Sequence, residues 1–181
     1  PGAPGLLVAD PQRVAHWRER LAALPPGLRV GISWRSGLMT ADRLGAYTAL
    51  ADWGPVLSLP GLCLVTLQYG DGEAELAAAE RAYGVRIHRW ADLDLKDDLE
   101  GVAALAAGLD LVIAPATAVG ELAAALGTPV WRLGGPGDWT ALGTAVRPWF
   151  PAMRLFTPRP GEALTAALVA MARRLRVLQA V

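Results

Sequence analysis

Apolar positions along this chain change period repeatedly, and each change predicts a new element. From Asp10, the residues Val14, Trp17, Leu21 and Leu24 recur every three or four positions, an amphipathic helical stripe. Asp10-Pro11 supplies an N-cap followed by proline in the first turn, and Pro25-Pro26-Gly27 ends the helix. Residues 29–34 then read as a strand, a short helix is expected over about 44–53, and the apolar run 62–67 reads as a strand buried on both faces. Residues 73–83 form a helix rich in Ala and Glu, with Gly84 as its C-cap. Further strands are expected at 85–88, 111–113, 130–133 and 153–156, with helices over 96–108, 117–126 and 162–178 and a short piece at 140–143. Strands alternating with helices of ten or so residues indicate βαβ units with right-handed crossovers. The pattern therefore predicts an α/β domain built on a doubly wound parallel sheet of five to six strands, helices on both faces. Residues 1–28 read as a linker and leading helix, and 29–181 as the domain proper.

Sheets of this kind bind ligands beyond the carboxyl ends of their strands, where strand order reverses. That rule selects residues 35–43, 68–71, 90–94 and 114–119.

Composition narrows the chemistry. Seventeen basic and seventeen acidic residues balance, which leaves no surplus for a nucleic-acid backbone. Hydrophobic residues make up 53% of the chain, yet the most apolar window, 102–133, is interrupted by Asp110, Pro115, Glu121 and Pro129, so no membrane span is expected. Cys63 is the single cysteine and sits in an apolar run, as a buried thiol would. With two separated histidines, His16 and His88, no metal site is expected. No basic stretch leads into an apolar segment at the start, so a cytoplasmic location is expected and Pro1–Gly5 reads as a linker.

The sequence has no G-x-G-x-x-G after its first strand, no P-loop and no G-x-S-x-G elbow. Ser33-Trp34-Arg35-Ser36-Gly37 places hydroxyls and an Arg beyond a strand end, where they would hold phosphate or form an ordinary surface loop. Thr117 opens a helix directly after a buried strand, so it reads both as a plain N-cap and as part of an anion pocket on the helix N-terminus. Asp92 and Asp94 read as an acid pair or as partners of the following helix dipole. Trp34, Tyr69, Trp90 and Trp139 fall in or beside loops, where one would stack on a base or sugar. Trp17, Trp53, Trp131 and Trp149 read as packing.

Several segments together resemble the C-terminal half of two-domain GT-B glycosyltransferases: 31–34, Leu67-Gln68-Tyr69, Asp92-Leu93, 109–113, Thr117-Ala118-Val119, 125–131 and 149–156. The pattern is most similar to the glycosyltransferase-like domain that follows tetratricopeptide repeats in bacterial proteins. It is also similar to heptosyltransferases and, more distantly, to protein O-GlcNAc transferases. The resemblance implies a Rossmann-like half of a GT-B fold that binds a nucleotide-diphosphate sugar as substrate, without a further cofactor. It implies Ser33, Arg35 and Ser36 near the diphosphate and Arg43 as the cation for the leaving phosphate. Gln68 and Tyr69 would approach the nucleotide, Asp92 and Leu93 would line its base or ribose, and Ala116, Thr117 and Ala118 would lie at the phosphate on the helix dipole. Where the family commonly has an acid and a histidine, this chain has Ala116 and Glu121. The implied partner is an N-terminal half of the same protein, with tetratricopeptide repeats in the type it most resembles. A catalytically degenerate interaction module is the alternative. A sugar-nucleotide epimerase would need an acid/base pair that the sequence does not offer.

Overall fold

The computed structural model describes residues 5–37, 39–40, 44–134, 140, 142–144 and 146–179. The chain runs α1 (Pro11–Ala22), β1 (Leu28–Ile32), two 3-10 turns (Leu44–Ala46 and Leu50–Trp53), α2 (Gly54–Leu57), β2 (Leu62–Thr66) and α3 (Glu73–Tyr83). There follow β3 (Ile87–His88), α4 (Leu99–Ala106), β4 (Leu111–Ala114), α5 (Ala118–Ala125), β5 (Val130–Leu133), β6 (Val146–Arg147), β7 (Phe150–Phe156) and α6 (Thr165–Gln179). The seven strands form one sheet in the order β3-β2-β1-β4-β5-β7-β6. All neighbours are parallel except the edge pair β6 and β7.

The strands are apolar on both faces because each face is covered by helices. Val30, Ile32, Leu64, Leu111, Ile113, Trp131 and Leu133 point into one core with residues of α2, α3 and α6. Val65, Val112, Val130 and Met153 alternate onto the other face, against α1, α4 and α5. Helix α1 is part of that second layer: Trp17 and Leu21 are buried, and Asp10 caps the helix by accepting the Arg13 N–H at 2.8 Å. Gly31, in the middle of β1, leaves room for Leu109 and Leu67, whose methyls lie 2.6 and 2.7 Å from where a Cβ would stand.

Several elements differ from the sequence reading, β7 starting earlier, at Phe150, and α6 later, at Thr165. The helix expected over 44–53 is broken into 3-10 turns and the short α2, with Pro55 in its first turn. Helix α4 begins at Leu99, not at 96. Asp94 spends its carboxylate on the N–H groups of Lys96 and Asp97, and Asp98 caps the helix through Gly101 N–H at 2.9 Å. The two-residue β6 has no counterpart in the apolar pattern. Among the tryptophans, Trp34 stands in the loop after β1 but is fully buried, so it offers no stacking face, while Trp149 is 41% exposed and stands beside the Arg147 guanidinium. Trp139 and residue 141 lie outside the described residues, and residues 142–143 form a turn where a short helical piece was expected.

The β3 edge of the sheet is closed by side chains. Ile87 donates its outward N–H to Glu80 Oε1 at 2.8 Å, and its carbonyl accepts from Arg89 Nη1 at 2.9 Å. Burial raises the Glu80 carboxyl, but the Ile87 N–H and Arg89 outweigh it and hold the group below its usual range.

Candidate functional site

Strand order reverses between β1 and β4: the chain leaves β1 toward β2 on one side and returns to β4 on the other. The carboxyl ends of these two strands define the crevice where such sheets hold ligands. The loops after β1, β2 and β4 meet there, and their polar groups can be followed one by one.

Gln68 is the hub. It is buried, and its Oε1 accepts from Ser33 Oγ at 3.1 Å, Trp34 N–H at 3.0 Å and Arg35 N–H at 3.1 Å. Two backbone donors fix that atom as the oxygen, so its Nε2 is the donor to the Tyr69 carbonyl at 3.0 Å. Gln68 thus clasps the loop after β1 to the loop after β2 and spends its amide on the protein. Arg35 reaches away to α3: its guanidinium meets Glu75 at 2.7 and 2.9 Å and the Asp71 carbonyl at 2.6 Å. Ser33 and Ser36 are buried, and the Tyr69 ring lies so close over Gly37 that a Cβ there would fall 2.3 Å from a ring carbon. Arg43 lies outside the described residues.

On the β4 side, Ala116 and Ala118 are exposed and Thr117 is buried. Thr117 holds the N-cap position of α5 but its side chain does not cap; the hydroxyl Oγ1 is buried without a hydrogen-bond partner. The Trp34 Nε1–H is likewise buried and unpartnered. Buried polar groups are nearly always satisfied, so two orphans just past the ends of β1 and β4 call for a reason.

Glu121, one turn into α5, accepts from Arg132 at 3.3 Å and from Arg147 at 2.5 Å. Both arginines are buried, on β5 and β6. The acid that stands where the resemblance expects a histidine is therefore an ion-pair partner. The sequence reading passed over both arginines, although a charged residue inside Val130-Trp131-Arg132-Leu133 is a signal in itself.

A cleft of about 400 Å³ opens between the loops after β2 and β3, lined among others by Thr66, Gln68, Gly72, Leu76, Trp90 and Leu95. Asp92 and Leu93 do not line it. Asp92 pairs with Arg20 of α1 at 2.6 and 2.9 Å, a hydrogen bond that holds its carboxyl below the usual range, and Leu93 is buried in the core. Arg20 lies 4.5 Å from the Trp17 ring and 5.3 Å from Trp90, so α1 braces the aromatic wall of the cleft. His88 is half-buried, and burial lowers its pKa. Among the described residues no group of three His, Cys, Asp or Glu side chains is arranged to hold a metal. No helix among them is long and apolar enough to cross a membrane.

The fold is that of one Rossmann-like half of a GT-B glycosyltransferase. Three solved structures carry the likeness. These are the E. coli heptosyltransferase WaaC with ADP-2-deoxy-2-fluoro heptose (TM-score 0.56, 20% identity) and the E. coli ADP-heptose heptosyltransferase II (0.59, 16%). The third is a family 9 glycosyl transferase from Veillonella parvula (0.59, 14%). They match 93%, 94% and 96% of this chain, which spans 48%, 54% and 53% of theirs. By sequence the chain is 46% identical over 156 residues to Protein FlbA of Caulobacter vibrioides; the match covers 86% of this chain and 26% of FlbA, about a quarter of its length. No protein-family model matches the chain.

Proposed function

We propose that this chain is the nucleotide-sugar-binding half of a glycosyltransferase that passes a sugar to a protein or glycan acceptor. The acceptor side would come from a further domain of the same polypeptide, in keeping with partial coverage of FlbA and of the heptosyltransferase structures. A tetratricopeptide-repeat segment is part of this reading through the sequence resemblance alone.

The observation that carries the proposal is the buried, unpartnered hydroxyl of Thr117 at the first turn of α5, beside the strand-order reversal. The first N–H groups of a helix lack intrahelical partners, and its dipole puts partial positive charge at that end. A diphosphate there would accept from these N–H groups and from the Thr117 Oγ–H. As the bond from sugar to phosphate breaks, negative charge grows on the leaving phosphate, and fixed donors and a cation stabilise it most when that charge is largest. Arg43 is the cation this scheme assigns. Gln68 holds the loop after β1 in shape, and Trp90 offers a face for the base in the cleft it lines.

The test is thermal unfolding with millimolar UDP, GDP, ADP, CMP and their sugar conjugates. A ligand at a hundred times its dissociation constant adds about 2.7 kcal/mol. The expected result is a rise with one nucleotide that Thr117→Val removes. Silence from this chain and from the longer protein would favour the non-catalytic module, a reading to which the Ala116 methyl already lends itself.

A further inference from the structure

The neutral net charge conceals a strong segregation. Residues 152–179 contain five arginines, Arg154, Arg159, Arg173, Arg174 and Arg176, against the single acid Glu162, leaving twelve basic and sixteen acidic residues elsewhere. Elsewhere among the described residues six arginines are paired, among them Arg13 with Asp98, Arg20 with Asp92, Arg35 with Glu75, and Arg89 with Glu73 and Glu80, while Arg18, Arg29, Arg81 and Arg86 are scattered singly. All five of the C-terminal set are exposed, and none joins an ion pair with the described residues. Beside them the outer face of α6 shows Val169 (40% exposed) and Val177 (64%). A groove of about 380 Å³ runs between α6 and the loop after β7, lined by Phe156, Pro158, Val169 and Ala170 together with Arg159 and Arg173. Glu162 also lines it, with a carboxylate oxygen accepting the Arg159 N–H at 3.0 Å.

We infer that this groove is a docking site for an acidic polypeptide segment carrying apolar side chains. The argument is charge complementarity joined to shape. The unpaired guanidiniums would attract carboxylates, and Arg forms two parallel hydrogen bonds with each. The apolar lining takes what lies between those carboxylates, and a concave groove admits side chains where a flat bilayer cannot enter. Nucleic acid would leave the apolar lining without a partner. The groove begins at the carboxyl end of β7, two strands from β4, so its occupant would lie about 10 Å along the same rim from the Thr117 turn. The inference stands whether or not the chain binds nucleotide.

The test uses fluorescence anisotropy with a labelled peptide of glutamate and leucine at low salt. Parallel runs use phosphatidylserine vesicles and a DNA duplex. The peptide should bind, and R159E/R173E, the two arginines of the groove, should weaken it by about tenfold or more. The control R18E/R81E makes the same charge change at exposed arginines elsewhere and should leave binding unchanged. All four positions are on the surface, so the thermal midpoint should hold in both variants. No peptide binding, equal weakening by both pairs, or binding to vesicles or DNA in place of the peptide would each overturn the inference.

Discussion

One side-chain oxygen, Gln68 Oε1, serves three donors from the loop after β1. Removing it strands all three, two of them buried and the Arg35 N–H partly so, and each unsatisfied buried group costs about 1–3 kcal/mol. Gln68→Ala should therefore destabilise the domain by about 3 kcal/mol, seen as a lower urea midpoint with an unchanged slope. Asp92 makes a contrast, since it is exposed and its carboxylate is held by Arg20. Composition and motif placed both residues near the strand ends, and both are near them. What composition could not reveal is direction. A residue in the loop beyond a strand faces either the crevice or the core, and Trp34 and Leu93 took the core because apolar burial outweighs loop membership.

At the level of elements, legibility followed local signals. Helix α3 and strand β5 have the bounds their composition implied, with Gly84 at φ 65° supplying the left-handed C-cap. The start of α4 was misread because two aspartates compete to cap it, and Asp94 closes its own turn first. Helix α1 is tied to the segment around α4 by Arg13–Asp98 and Arg20–Asp92. Asp92 is held below its usual range by the Arg20 hydrogen bond, and Asp98 by the Gly101 N–H and then Arg13. A carboxylate depressed in the folded state stabilises it above the unfolded pKa, and that contribution is lost as pH falls through the lower folded value. The docking of α1 should thus weaken below about pH 4. Thermal melts from neutral pH into acid should fall less steeply for D92N/D98N than for the unaltered chain.

For the whole molecule, the alternation of periods was enough to predict the layered parallel sheet. The partners of β1 and the antiparallel β6 at the far edge came only from the structure, because pairing of distant strands leaves no local mark. The sheet meets solvent at β3, where Glu80 and Arg89 occupy the outward groups of Ile87. Unguarded edges add strands from other chains. E80A/R89A should consequently show concentration-dependent association in sedimentation velocity, while the unaltered protein does not gain mass by that route.

The central pairing also sets a clock on synthesis. Val30 of β1 lies beside Leu64 on one side and beside Leu111 on the other. A ribosome adds about 5–20 residues per second, so the second partner follows the first by roughly 2 to 10 seconds. For that interval the middle strand of the finished protein is an open edge on the nascent chain, and it is then that a holding chaperone would find the most to hold.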